Sequence, residues 1–269
     1  MSKKERADVL AVEQGLADTR EKAKRSIMAG LLYAETERID KPGTKLDSAT
    51  PLRMKGELLP YVSRGGLKLE KALQAFAIDL NEKTVLDIGA STGGFTDCAL
   101  QHGAANVYAV DVGYNQLAWK LRTDERVTSL ERVNFRYMTE DDLPDPPPEA
   151  AVCDVSFISL SLILPPLKKL LTAGGDAVVL VKPQFEAGRD EVGKKGIVRE
   201  AHIHERVLHE RHADAEANGF QVIAAARSPI TGTGGNVEYL FHLKRVSGQP
   251  SPITVEDLTN LAYTEACDD

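Results

Sequence analysis

Four side chains stand where an open parallel sheet presents groups to a ligand, at or just beyond the ends of short apolar runs: Asp87, Asp111, Asp154 and Lys182. The run Val85-Leu86-Asp87-Ile88-Gly89-Ala90-Ser91-Thr92-Gly93-Gly94-Phe95 reads as a strand, a glycine turn and the start of a helix, the geometry of a nucleotide-type cofactor site. Its spacing is G-x-x-x-G-G, not the G-x-G-x-x-G of dinucleotide sites. Such glycines let backbone approach a ligand without requiring a pyrophosphate. Asp111 ends the next strand, 24 residues after Asp87, where an acid can bind both hydroxyls of an adenosyl ribose. No neighbouring Arg or Lys suggests a 2′-phosphate pocket. The pattern points to S-adenosylmethionine rather than NAD. Asp87, Gly89, Ala90, Ser91, Gly93, Gly94, Phe95, Asp111 and Val112 are the candidate cofactor-binding residues. A glycine turn of purely structural use is the competing reading.

Asp154 follows Ala151-Val152-Cys153, and Lys182 follows Val178-Val179-Leu180-Val181. A lysine at that rim, partly desolvated, is expected to have a lowered pKa; the bland alternative is a strand-end lysine reaching for solvent. Glu238 sits inside the apolar run Val237 to Leu240, where an acid is either paired or an edge-strand charge facing water. Asp154-Val155-Ser156-Phe157 is not the Asp/Asn-Pro-Pro-aromatic stretch of exocyclic amino methylation. Strand alternation turns Cys153 away from the Asp154 face, so it reads as core and not as a nucleophile for C5 methylation. Phe157 has equal claims as a core aromatic and as a border of cofactor or target base. His202, His204, His209 and His212 share a predicted helix whose interspersed Glu and Arg favour a solvated face over a metal site.

The elements that must position these groups alternate. Strands are predicted at 84–88, 106–110, 127–130, 150–153, 176–181, 220–227 and 237–245, and helices at 67–76, 95–102, 115–121, 159–171 and 199–218. This implies a mostly parallel sheet covered on both faces. Ahead of them, helices at 6–13 and 19–28, a strand at 31–38, a turn at 41–45 and extended chain at 51–54 form a small domain. The expected boundaries are 1–60, a linker at 61–66, the catalytic domain at 67–246 and an acidic tail at 247–269, at most loosely helical.

The net charge of −7 conceals a local distribution. Residues 1 to 64 hold 13 Lys and Arg against 10 acids, whereas Thr139 to Glu149 and Gln249 to Asp269 carry five acids each and no base. Arg20, Lys22, Lys24 and Arg25 form a basic stripe on one helix, which fits phosphate contact as well as a solvated face. Aromatics are sparse there, so recognition of folded RNA by shape and backbone fits better than single-strand reading. Apolar runs are far too short to span a bilayer, and the N-terminus lacks the apolar core of a secretory signal. Cys98, Cys153 and Cys267 form no metal or disulfide pattern, which fits a reduced cytoplasmic protein.

Assembled, these residues resemble the TlyA, or hemolysin A-like, family, in which an S4-type RNA-binding domain is joined to an FtsJ-like methyltransferase domain. The resemblance spans about Lys4 to Val246. It rests on Arg6-Ala7-Asp8 through Thr19-Arg20-Glu21-Lys22-Ala23 to Gly30, and on Ser63-Arg64-Gly65-Gly66-Leu67-Lys68-Leu69. It rests also on Asp87 to Thr96, Asp154-Val155-Ser156-Phe157-Ile158-Ser159-Leu160 and Lys182-Pro183-Gln184-Phe185-Glu186. It implies an α/β fold: a Rossmann-like S-adenosylmethionine-dependent methyltransferase domain with a small N-terminal α+β S4-like domain. It also implies methylation of cytidine 2′-hydroxyls in ribosomal RNA or ribosomal subunits, with no metal and no membrane. The family's Lys-Asp-Lys-Glu set falls on Lys68, Asp154, Lys182 and Glu238, with Lys71 the competitor for the first place. Candidate RNA contacts are Arg6, Arg20, Lys22, Lys24, Arg25, Lys41, Lys45 and Arg64. The alternatives are a methyltransferase for a small molecule or protein, a membrane-active hemolysin, and a nonenzymatic RNA-binding module.

Overall fold

The structure is a computed structural model that describes residues 4–28, 30–56, 59–246 and 248–264; Cys267 lies outside them. The chain divides into two compact units, Met1–Pro60 and Tyr61–Asp269.

The first unit runs β1 (Lys4–Arg6), α1 (Ala7–Glu13), α2 (Arg20–Met28), β2 (Leu32–Ala34), β3 (Glu37–Arg38), β4 (Lys45–Asp47) and β5 (Leu52–Met54). β1 pairs antiparallel with β4, and β2 is flanked antiparallel by β3 and β5. Ala7, Leu10, Ala23, Ile27 and Leu32 form its small core. The single strand expected at 31–38 is instead a two-strand hairpin, because Glu35 takes a positive φ of 53° and turns the chain back. The turn expected at 41–45 closes on the Thr44 N–H donating to the Lys41 carbonyl, and Lys45 already belongs to β4.

The second unit opens with α3 (Gly65–Phe76). It continues through β6 (Thr84–Ile88), α4 (Gly94–Gln101), β7 (Asn106–Asp111), α5 (Trp119–Arg122), β8 (Val127–Glu131) and β9 (Ala150–Cys153). Then come α6 (Leu164–Leu170), β10 (Asp176–Val181), α7 (Pro183–Glu186), α8 (Ala201–Ala217), β11 (Phe220–Arg227), β12 (Tyr239–Arg245) and α9 (Val255–Thr264). One seven-stranded sheet has the order β11-β12-β10-β9-β6-β7-β8. The five strands from β8 to β10 are parallel, with the doubly wound order in which the chain reverses direction between β6 and β9. β12 lies antiparallel between β10 and β11, so the sheet is parallel only in part.

Alternation along each strand builds two cores. Leu86, Ile88, Tyr108 and Val110 face one layer of helices, while Val85, Val107 and Ala109 face the other. That is why these strands are apolar on both faces. The segment 61–66 is not a free linker: Tyr61 is buried with Leu69 and Leu73, and α3 begins at Gly65. The helix expected at 115–121 shrinks to α5, since Asn115 has a φ of 58°. The helix expected at 159–171 splits into a 3-10 turn at Leu160–Leu162 and α6, whose first turn carries proline. The tail differs most from expectation. α9 is a ten-residue helix that buries Leu258 and Ala262 in the main core.

Candidate active site

The parallel strands end on one rim, and a cavity of about 640 Å³ opens there. Its walls include Lys68 from α3, the glycine turn after β6, Asp154 after β9, Lys182 after β10 and Glu238 just ahead of β12. The antiparallel register explains how the last of these arrives. Val181 lies opposite Tyr239, so the residue after β10 and the residue before β12 meet at the same end of the sheet. Glu238 is therefore no edge charge facing water; it is 3% exposed.

The four side chains form one ion-pair cluster. Lys68 Nζ donates to Glu238 Oε2 at 2.6 Å and to Asp154 Oδ2 at 3.2 Å. Lys182 pairs with Asp154 Oδ1 and donates to Ser156 Oγ at 3.2 Å. Gln184 Nε2 donates to the other Glu238 oxygen at 3.2 Å. Two ammonium and two carboxylate groups balance, the condition under which charges are tolerated away from water. Burial alone would raise the Asp154 pKa, but the charges of Lys182 and Lys68 outweigh it and hold the carboxyl below its ordinary value. Lys71 is exposed, and it is Lys68 that joins the cluster.

The glycine turn is a cradle that side chains would fill. A Cβ on Gly94 would stand 2.3 Å from Ser63 Oγ and 2.9 Å from the Gly66 backbone nitrogen. Gly89, at φ +81°, would meet the Asp154 carbonyl at 2.9 Å. Ala90, Ser91, Gly94 and Phe95 line the cavity, and Gly93 takes φ +97° to start α4. Asp111 accepts hydrogen bonds from the Ser91 and Gly113 N–H groups at 2.8 and 2.6 Å, and beside it lies a shallow depression shared with Ala90 and Ser91. Val112 is exposed next to it. A backbone cradle with an ordered acid at its end fits an adenosyl cofactor. Asp87 does not reach the wall: it is fully buried and accepts from Thr96 Oγ1 at 2.6 Å. Burial, together with Asp154 and Asp111, pushes its pKa up to about 7.

Several lining residues carry no signal of their own in the sequence. Ser156 and Gln184 sit inside motifs that stand out for other residues. Gly232 belongs to a glycine-rich connection, and a Cβ there would meet Glu238 Oε1 at 2.2 Å. Phe157 is not core: it is 89% exposed with φ +63°, its ring 4.8 Å from that of Phe185. Cys153 is buried core. The histidine helix is not wholly solvated, since His204 and His212 are buried, and His204 bonds the Tyr239 hydroxyl and the Val198 carbonyl. Burial lowers the His204 pKa.

Arg64 is exposed on the cavity rim. In the first unit Arg6 and Arg20 both bind Asp8, each through a 2.9 Å ion pair. The Arg6 hydrogen bonds, then Arg20, hold the Asp8 carboxyl down to about 2. Lys22 pairs with Asp18 and Lys24 with Glu21, while Arg25, Lys41 and Lys45 are exposed. The basic stripe is thus partly neutralised by local acids.

A doubly wound sheet with an inserted antiparallel strand, a glycine cradle and strand-end acids is the architecture of Rossmann-like methyltransferases. The chain belongs to the FtsJ-like methyltransferase family, which it matches over residues 61–245. It is 61% identical over 242 residues to YqxC of Bacillus subtilis, covering 90% of this chain and 86% of the relative. It is 39% identical over 267 residues to the 16S/23S rRNA (cytidine-2′-O)-methyltransferase TlyA of Mycobacterium tuberculosis, covering 98% and 99%. The solved structure of a hemolysin-named protein from Streptococcus thermophilus superposes with a TM-score of 0.77 at 54% identity, covering 99% of this chain and 96% of that one. Among the described residues, no helix is long and apolar enough to cross a membrane.

Proposed function

We propose that this protein transfers a methyl group from S-adenosylmethionine to the 2′-hydroxyl of a cytidine in ribosomal RNA. The observation that carries the reading is the convergence of Lys68, Asp154, Lys182 and Glu238 on one cavity beside the glycine cradle. The name of the Mycobacterium tuberculosis relative supplies the substrate class. Gly89 to Phe95 and Asp111 would hold the cofactor, which supplies an electrophilic methyl group whose carbon–sulfur electron pair stays with sulfur on transfer.

A ribose hydroxyl is a weak acid, so its proton must leave as its oxygen attacks in line. As an ammonium paired with Asp154, Lys182 would hold the attacking oxygen while the hydroxyl proton passes to water; only after giving its own proton to water could its amine take the hydroxyl proton instead. Asp154 fixes Lys182 and also binds Lys68. Glu238 anchors Lys68 from the far side, so the cluster is held before substrate arrives. Phe157, exposed at the cavity mouth, offers a flat apolar face to the target base. The first unit serves as the S4-like RNA-binding domain through Arg6, Arg20, Lys22, Lys24, Arg25, Lys41 and Lys45, and in the second unit Arg64 contacts RNA at the cavity rim. Ribosomal RNA as substrate also makes the cytoplasm the place of action.

The test is Lys182→Ala. Mapping of 2′-O-methyl groups on ribosomal RNA should show loss of the modification, while calorimetry should still show cofactor binding. Normal methylation by the variant refutes the assignment. Lysis of membranes by the purified protein without cofactor would favour the hemolysin reading.

A further inference from the structure

We infer that Glu186, held by Arg211, is a positioning residue that locks the loop after β9 to the turn after β10, and so sets Asp154, Phe157 and Lys182 relative to one another. The inference rests on the proposed methyl transfer at this site. Asp154 precedes Ser159 by five residues and Lys182 precedes Glu186 by four, on separate connections between separate strands. Glu186 closes the gap with both carboxylate oxygens. Oε1 accepts the Leu160 N–H at 2.9 Å, and Oε2 accepts the Ser159 hydroxyl at 2.7 Å.

Arg211, from the middle of α8, seals the junction. Its Nη1 donates to Glu186 Oε2 and, at 3.0 Å, to Ser159 Oγ. Its Nη2 pairs with Asp214 at 2.9 Å, which fixes the guanidinium on its own helix. The Glu186 side chain is 2% exposed and that of Arg211 12%, so water does not readily replace these bonds. The Ser159 hydroxyl is the node: it gives its proton to Glu186, accepts from Arg211 and accepts the Ser161 N–H at 3.2 Å.

The connection between Asp154 and Ser159 is short and conformationally unusual. Phe157 holds φ +63°, a region that L side chains avoid, and such a conformation persists only where the flanking chain is fixed. One flank is Asp154, fixed by two lysines; the other is Ser159, fixed by Glu186 and Arg211. The 4.8 Å contact of Phe157 with Phe185 places the second connection against the first. Without the Glu186 lock, both can shift by tenths of an ångström or more while the glycine cradle, built from β6 and α4, stays in place. Misplacement by about 1 Å costs on the order of 100-fold in rate.

The experiment compares Glu186→Gln, Arg211→Lys and Ser159→Ala with the wild type, using the full-length protein, ribosomal subunits lacking the modification, and S-adenosylmethionine. Glu186→Gln should lower kcat about 10–100-fold and leave the cofactor Kd within about 2-fold, because the cradle is untouched. Arg211→Lys keeps the charge beside Glu186 and should retain more activity than Glu186→Gln. Ser159→Ala removes the node without stranding a charge. It should lower kcat about 5-fold, the worth of the one bond by which that hydroxyl joins the two connections through Glu186, and it decides the matter if Glu186→Gln does not fold. Variants as active as an active wild type overturn the positioning role alone. A parallel loss of cofactor affinity overturns it too, since that marks general disruption. A wild type inactive on RNA overturns the function and, with it, this inference.

Discussion

Lys68 is the member of the ion-pair cluster whose loss should be felt most. Lys68→Met leaves Glu238, 3% exposed, with the Gln184 amide as its donor, and leaves Asp154 with Lys182. Removing one partner of a buried pair costs about 3–5 kcal/mol. For a unit of this size about 1 kcal/mol lowers Tm by roughly 2–4 °C, so Tm should fall by about 6–20 °C. Glu238→Gln is milder, at about 1–2 kcal/mol, because the amide still accepts from Lys68, and Lys68 keeps Asp154 at 3.2 Å. The double variant leaves no Glu238 carboxylate beside the missing lysine, and Asp154 keeps Lys182. It should be more stable than the sum of the single losses by about 2 kcal/mol, well beyond the roughly 0.5 kcal/mol within which independent sites add. Urea unfolding of the four proteins by circular dichroism reads the cycle. Additive losses would show that the 2.6 Å contact between Lys68 and Glu238 carries no coupling.

Three further outcomes follow from the geometry. Asp87 is held protonated up to about pH 7 in the fold, against an ordinary value of 3.8, so its contribution to stability is complete below pH 4 and is lost as pH rises to 7; the urea midpoint of Asp87→Asn should fall less between pH 5 and 8 than that of the wild type, and equal slopes would contradict this. Gly94→Ala forces a Cβ to within 2.3 Å of Ser63 Oγ, so calorimetry should find weaker cofactor binding, and melting a loss of about 1–3 kcal/mol; unchanged affinity counts against the cradle. Arg25→Glu with Lys45→Glu should weaken binding to ribosomal RNA and flatten its salt dependence by about one unit of slope for each phosphate left without its cation, and filter binding across a salt series would detect an unchanged slope.

Much of the catalytic domain is readable because its signals are local. Val85-Leu86 ahead of a glycine turn, and Ala177 to Val181 ahead of Lys182, declare strand and rim together, and β6, β9, β10 and β11 have the limits their patterns predict. What cannot be read depends on residues far apart in sequence. Glu238 looks ambiguous in its own run and is singled out only by the family resemblance; the physical reason, the antiparallel register of β12 against β10 that brings it to the Lys182 end of the sheet and within reach of Lys68, is not legible locally. Lys68 itself is one helix lysine among several unless the family resemblance singles it out. The positive φ at Glu35 ends a strand, and that at Asn115 keeps the helix from starting there, each at a residue whose neighbours favour continuation. The burial of His204, His212 and Leu258 is set by the neighbouring element, which composition does not reveal.

The hydrogen bond from Lys68 to Glu238 spans 170 residues of sequence. During synthesis, which runs from the N-terminus, the cradle from β6 to α4 can assemble long before the reactive cluster does. Until β12 has emerged and slotted between β10 and β11, β10 is an open edge and β11 has no partner. Chains cut short between Asp111 and Glu238 would carry the segments of the cofactor cradle and lack the carboxylate that anchors Lys68. Acting on the ribosomal RNA proposed above, such an enzyme would have its full ion-pair cluster only once its sheet is complete.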